Sequence, residues 1–181
     1  MTEAKWSLRD LQEQQREWIR ANLSDPATGA ERPSWMPLLG LAEELGELAE
    51  AKSDSELDDA MADIIIFGAD YCSAVGWDIQ ELWDNRKRLS EYSGWSGTGP
   101  RLVVCVGRIA HHHLKRSQGI RGSAEHHDRE GRRWFAALLD DVGFNIGGAL
   151  RDERAEQAVF DLVRRTWDQV RQRNWRPAKD A

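Results

Sequence analysis

Residues 41–75 constrain the fold more than any other stretch, because they contain two segments of helical periodicity joined by a short polar linker. In the first segment, Leu41–Lys52, leucines recur at spacings of four and three residues and therefore share one helical face. The second segment, Ser55–Val75, contains the apolar run Ile64–Phe67. The pattern predicts two helices that follow each other directly, each with one apolar face, and Gly76 marks the predicted end of the second. A further single helix is predicted to begin at Asp78.

Both predicted helices also carry acidic side chains one turn apart. Glu44 and Glu47 share a face of the first helix, with Glu43 at its edge, and Asp59 and Asp63 share a face of the second. Like charges at this spacing repel each other, so a compensating cation is expected. Mg²⁺ is a hard ion that binds carboxylate oxygens and keeps several waters. Two such helices, packed antiparallel, would form a cage of four carboxylates, although each acidic pair alone is typical of a solvated helix face.

The segments Glu43–Leu48 and Asp59–Asp63, followed by an apolar run, resemble the MazG-like all-α nucleoside triphosphate pyrophosphohydrolases, relatives of the dimeric dUTPases. The resemblance covers the first half of the chain. It implies an all-α helical bundle that hydrolyses a nucleoside triphosphate, a dNTP by preference, to monophosphate and pyrophosphate. It also implies Mg²⁺, with Mn²⁺ as a substitute, as the cofactor.

The resemblance assigns a role to each acid. Glu44, Glu47, Asp59 and Asp63 are expected to bind the metal, and Glu43 is expected to orient or deprotonate the attacking water. Glu43, Glu44, Glu47 and Asp63 form the expected catalytic set.

The chain departs from the family pattern at one position. The family has a glutamate three residues before the last acid, where this chain has Ala60. Asp59 is the nearest acid on that side of the helix, and a second register, from Glu56 to Asp59, also satisfies the spacing. Asp63 is preferred as the last acid because the apolar run follows it, and either Asp59 or Glu56 completes the cage.

The bulk composition limits the possible partners. The chain has 181 residues, of which 40% are hydrophobic and 31% are charged, and its net charge is −6. A general nucleic-acid surface would require a basic face, so the expected partner is a small nucleotide. Neither a signal-peptide core nor a membrane span is present, which predicts a cytoplasmic protein. Cys72 and Cys105 lie in apolar helical contexts and are predicted to be buried thiols.

The second half of the chain repeats features of the first. Three pairs of segments correspond in the same order: Val106–His111 with Leu45–Glu50, Leu139–Ile146 with Leu57–Ile64, and Trp167–Asp168 with Trp83–Asp84. This order predicts two tandem MazG-like repeats, residues 1–95 and 96–181, that form a pseudo-dimer. In this register Cys105, Arg108 and Asn145 replace Glu44, Glu47 and Asp63. The second repeat is therefore expected to lack the metal site, and a further homodimer stays open.

Basic residues are expected to bind the triphosphate. Lys115, Arg116 and Arg121 lie in a loop with glycines at 119 and 122, which allow close approach of the backbone, and Arg86 belongs to a basic cluster before the linker 93–100. The same loop region, residues 111–127, contains all five histidines, so zinc is an alternative. Adjacent histidines point in different directions on a helix, however, and no Cys or acid at metal-ligand spacing accompanies them.

Three other functions remain open. The chain could be a catalytically inactive nucleotide-binding or regulatory module, a purely structural helical protein, or a hydrolase of the phosphoribosyl-ATP type. The sequence determines neither the base and sugar preference nor the number of metal ions.

Overall fold

The computed structural model describes residues 5–23, 32–89, 98–147 and 153–173. These ranges contain eight helices and no strand, which confirms the all-α prediction for the described chain. The helices are α1 (Leu8–Asn22), α2 (Met36–Glu50), α3 (Asp54–Val75), α4 (Ile79–Asp84), α5 (Arg86–Leu89), α6 (Thr98–Gln118), α7 (Ala124–Gly147) and α8 (Glu153–Val170).

The helix boundaries follow from local capping chemistry. Ser7 and Asp10 form a reciprocal capping box at the start of α1, which satisfies two backbone N–H groups that the helix itself cannot. At the start of α3, Ser53 accepts a hydrogen bond from the backbone N–H of Glu56. Gly76 ends α3 in the left-handed conformation, with φ of 79°, which glycine adopts without steric cost. The predicted helix end at Gly76 is therefore confirmed.

Two predicted boundaries are wrong. The single helix predicted from Asp78 is broken at Asn85, whose side chain donates a hydrogen bond to the Glu81 carbonyl and ends α4. The chain then turns into the four-residue helix α5. The predicted linker 93–100 also differs, because residues 98–100 form the first turn of α6 while residues 93–97 lie outside the described ranges.

The core is built around α3. This helix packs on α1, α2, α7 and α8, and its buried side chains include Ile64, Ile65 and Cys72. A single cluster of buried apolar residues takes in both predicted repeats, with Trp83 and Trp167 each about 1% exposed. Burying a large apolar side chain stabilises a fold by roughly 1.5–3 kcal/mol, so both halves contribute to one core.

Buried glutamines attach α1 to the rest of the bundle. The Gln15 amide donates to the Ile66 carbonyl at 2.9 Å, and the Gln12 amide donates to the Trp77 carbonyl at 2.7 Å. The Trp18 ring makes an edge contact with Trp167 in α8, at 5.9 Å between ring centroids. Helices α1 and α8 therefore contact each other while both pack against α3.

Two further predictions concern the interior and the membrane. Cys72 and Cys105 are buried free thiols, as predicted. No helix in the described ranges combines the length and apolar character that crossing a membrane requires.

Candidate acidic metal site

The acids are brought together because α2 and α3 approach each other closely. A turn of three residues, 51–53, reverses the chain between them. Gly40 of α2 lies against the Phe67 ring of α3, where a Cβ at position 40 would stand 2.2 Å from a ring carbon. Glycine at this position allows the two backbones to approach. Because the helices are antiparallel, Glu44, one turn after Gly40, lies close to Asp63, one turn before Phe67.

Glu44 is the most unusual group in this site. Its side chain is buried, with 6% exposure, and its Oε2 has no hydrogen-bond partner among the described residues. Burial, together with the nearby charges of Asp63, Glu47, Glu43 and Asp59, raises the pKa of Glu44 to about 8. A buried carboxylate surrounded by other acids is costly unless a cation or a proton neutralises it.

Asp63 occupies a similar environment. Its pKa is raised to about 7, mainly by burial and also by the charges of Asp59 and Glu47, while Arg173 acts in the opposite direction. The four predicted metal ligands and Glu43 therefore interact electrostatically in the folded chain. Sequence reasoning missed Arg173, which follows α8 and lies far from α3 in the chain.

The residues fit a hard divalent cation by their chemistry. The donors are carboxylate oxygens, which Mg²⁺ prefers, and one of them is the buried unpaired oxygen of Glu44. Among the described residues, no three of these acids have ligand oxygens that all lie within 4.8 Å of one another. Glu47 and Asp59 are exposed side chains, so rotamer changes alone would bring their oxygens closer to Glu44.

The structure distinguishes between Asp59 and Glu56, the two candidates for the remaining metal ligand. Glu56 lies in the first turn of α3, where its carboxylate accepts a hydrogen bond from the Lys52 backbone N–H at 2.5 Å. It is not among the charges that shift the pKa of Glu44 or Asp63, whereas Asp59 shifts both. Asp59 is therefore the better placed of the two candidate ligands.

The basic residues predicted to bind phosphate lie elsewhere. Arg86 pairs with Asp140 and Glu156 at 4.0 and 3.4 Å, and its guanidinium lies 3.9 Å from the centroid of the Trp83 ring. Arg116 pairs with Asp128 at 3.1 Å. The Lys115 ammonium group contacts Gln118, and Arg121 is exposed in the turn after α6. None of these four cations is among the charges that shift the pKa of Glu44 or Asp63, so their substrate-binding roles stay predictions.

A different group of arginines surrounds a cavity beside Asp70, which lies on the same face of α3 as Asp63. A cavity of about 110 Å³ is lined by Arg16 and Arg20 of α1, by Arg32 and by Asp70 of α3. Arg32 forms an ion pair with Asp70, and its Nε is buried with no hydrogen-bond partner in the described ranges. Burial raises the pKa of Asp70, and Arg32 opposes the shift. Asp70 follows Asp63 by two helical turns, about 10 Å along α3.

A larger cavity lies on another face of the same hairpin. Its volume is about 730 Å³, and its walls include Leu45, Met61 and Val103. Asp54 and Asp58 also line it, but none of the predicted metal ligands does. The cavity is therefore bounded by the same hairpin, and it includes Leu48, one turn beyond Glu44, but none of the acids predicted to bind the metal.

Comparisons with known proteins give no match to a protein-family model, to a curated protein or to a solved structure. The resemblance to the MazG-like family therefore depends on the residues of α2 and α3.

Proposed function

We propose that the chain hydrolyses a nucleoside triphosphate to monophosphate and pyrophosphate, with Mg²⁺ held by Glu44, Glu47, Asp59 and Asp63. The observation that carries this proposal is the burial of Glu44 among other acids, with an unpaired carboxylate oxygen. Repulsion between the carboxylates destabilises the hairpin unless a proton or a cation neutralises Glu44, and a cation site gives these clustered acids a role. A bound cation would turn the same arrangement into a stable one.

The chain supplies three kinds of group for this reaction. The carboxylates of α2 and α3 hold the cation, which, when bound, neutralises phosphate oxygens and lowers the pKa of a coordinated water. Glu43 is exposed at the edge of the acidic face, and in this proposal it orients or deprotonates the water. Arg173 offers a positive charge close to Asp63.

The arginines around the smaller cavity support the binding of a polyanion. Arg16 and Arg20 are exposed on α1, and Arg32, which pairs with Asp70, lines the same cavity. Guanidinium groups bind phosphate oxygens through pairs of N–H donors. In this proposal, the phosphate groups of the nucleotide that the metal does not bind lie along α3 between Asp63 and Asp70.

The tandem-repeat architecture belongs to the same proposal. Two long hairpins, α2–α3 and α6–α7, pack against each other, and the Cys105 thiol interacts electrostatically with Asp141 much as Glu44 does with Asp59. Asp141 pairs with Arg101 at 2.6 Å, so the second hairpin holds its buried acid without a metal. We infer that the second repeat provides the packing that a partner subunit would provide in dimeric relatives.

The test is a screen for pyrophosphate release from phosphoribosyl-ATP and from a panel of ribonucleoside and deoxyribonucleoside triphosphates, with Mg²⁺ and with EDTA. We expect Mg²⁺-dependent release from at least one nucleotide. Nucleotide binding without release would support the inactive regulatory module, and release only from phosphoribosyl-ATP would support that substrate class. If Mg²⁺ changes neither activity nor melting temperature, the chain is a structural helical protein and the proposal fails.

A further inference from the structure

Three histidines converge where α6 meets α7. His112 lies near the end of α6, and His126 and His127 lie in the first turn of α7. One ring nitrogen from each lies within 4.8 Å of the other two, and this is the only such trio of potential ligands in the described chain. The expectation that adjacent histidines diverge was therefore wrong here, because His112 on the neighbouring helix lies within reach of both rings.

The separation of two of the nitrogens matches a tetrahedral ion. Nδ1 of His112 lies 3.2 Å from Nδ1 of His127. Zinc binds imidazole nitrogens at about 2.0–2.1 Å, so two ligands of a tetrahedral ion stand about 3.3 Å apart. The two rings therefore already have the spacing that a shared ion requires.

A backbone carbonyl orients the His127 ring. Nε2 of His127 lies 3.0 Å from the Ile120 carbonyl oxygen, which can only accept a hydrogen bond. Nε2 therefore carries the hydrogen and donates it, and the lone pair of Nδ1 points toward His112. Metal-bound histidines characteristically donate their other N–H to a carbonyl or carboxylate in this way.

The turn between the helices is built closely around these rings. Arg121 adopts a φ of 61°, which is rare for a residue other than glycine, and Gly122 adopts a φ of 141°. A Cβ at Gly122 would stand 3.0 Å from the His126 ring and 3.2 Å from Nε2 of His127. Strained backbone persists where the surroundings require it, and here it brings the turn against the histidines.

The local charges permit a cation. Arg116 and Arg129 are each paired with an acid, Asp128 at 3.1 Å and Glu130 at 3.4 Å, and Arg121 in the turn is exposed to solvent. Arg129 also donates a hydrogen bond to Nδ1 of His126 at 3.2 Å, and its exposed side chain would have to release this nitrogen before His126 could bind an ion through it.

We propose that His112, His126 and His127 form a binding site for a divalent ion of the zinc type, with its fourth position filled by water. Imidazole nitrogen suits zinc and the late first-row metals, whereas the carboxylates of α2 and α3 suit magnesium. The ion would connect α6 to α7 at their turn. This site is independent of the proposed hydrolysis, because none of its residues belongs to the acidic cluster.

The test uses the full chain, stripped of metal with EDTA and titrated with ZnCl₂ alone by calorimetry. We expect one Zn²⁺ per chain and a rise in melting temperature. His126 is half-buried, so H126A should fold and should lose at least tenfold in zinc affinity, with H112Q as a second variant. H111A is the matched control, because His111 adjoins the trio on α6 without belonging to it, and it should bind zinc like the parent chain.

Two results would overturn this inference. One is unchanged zinc affinity in both H126A and H112Q, and the other is the loss of zinc binding in D63N, which would place the ion at the acidic cluster. Replacement of Zn²⁺ by Co²⁺ gives an independent readout, because tetrahedral Co²⁺ has intense visible absorption. Weak octahedral bands would contradict a tetrahedral site.

Discussion

Gly40 of α2 faces the ring of Phe67 of α3 so closely that a Cβ on residue 40 would overlap the ring. G40A should therefore push the two helices apart. Overpacking of this kind costs about 1–3 kcal/mol, which urea denaturation would measure as a lower free energy of unfolding. Nucleotide hydrolysis should fall as well, because Glu44 and Asp63 depend on the same approach.

Gly46 provides the matched control for G40A. It lies on the same helix but is exposed, with no atom within 4 Å of a Cβ built on it. G46A should stabilise the chain by up to about 1 kcal/mol, because alanine is the better helix former. Equal free energies of unfolding for G40A and G46A would show that α2 and α3 leave room for a Cβ at position 40.

The second prediction concerns the metal ligands. E47A and D63A should each lower Mg²⁺-dependent pyrophosphate release by about 10²-fold or more, since a catalytic ion supplies several kcal/mol of charge stabilisation. E50A is the control, because Glu50 is an exposed acid on the same helix, one turn from Glu47. Helical circular dichroism should be unchanged in all three. Activity in D63A at the level of E50A would remove Asp63 from the site.

The third prediction concerns pH and the metal-free protein. The pKa of Glu44 rises from 4.5 to about 8 on folding, so the folded state holds a proton that the unfolded state has lost. Stability should therefore fall as pH rises through this range, by at most about 1.4 kcal/mol per pH unit for one proton. E44Q has no proton to lose at this position and should reduce the slope, while Asp63, whose pKa is raised to about 7, still contributes to it.

Urea denaturation in EDTA, at a series of pH values between 4.5 and 8, measures this effect. Adding Mg²⁺ to the parent chain should restore stability at the upper end, where the carboxylates are ionised. Parallel pH profiles for E44Q and the parent chain would contradict the assignment of the buried proton to Glu44.

The fourth prediction separates two possible phosphate sites. R16A and R20A should raise KM for the nucleotide with little change in Mg²⁺ affinity, because both arginines line the cavity next to Asp70. R121A, in the turn after α6, is the comparison. If R121A raises KM and the other two variants do not, the phosphates bind at the turn after α6, as the sequence analysis expected.

Periodicity was sufficient to locate the main helices. The apolar spacing in Leu41–Lys52 and Ser55–Val75 predicted α2 and α3 to within a few residues at most ends, and Gly76 correctly marked the end of α3. The break at Asn85 was missed because the surrounding sequence is equally helical on both sides. The inward turn of Arg86 toward Asp140 and Glu156, which lie more than fifty residues away in the chain, accompanies that break.

The acidic cluster was predictable, but its cations were not. Carboxylates one turn apart on consecutive helices can be read from spacing, because a short turn brings the helices together. Arg16 and Arg20 reach the same face only through the packing of α1 on α3, which local pattern does not encode. The metal-binding potential of the histidine trio was underestimated for the same reason, since one of its members comes from another helix.

The edge contact between Trp18 and Trp167 couples the start of the described fold to its end. During synthesis the ribosome releases α1 and α3 well before α8. Until Trp167 emerges, the side of α3 that receives α8 remains an open apolar groove. A nascent or truncated chain that stops short of Trp167 would therefore be prone to aggregation and dependent on chaperones, rather than a smaller working domain.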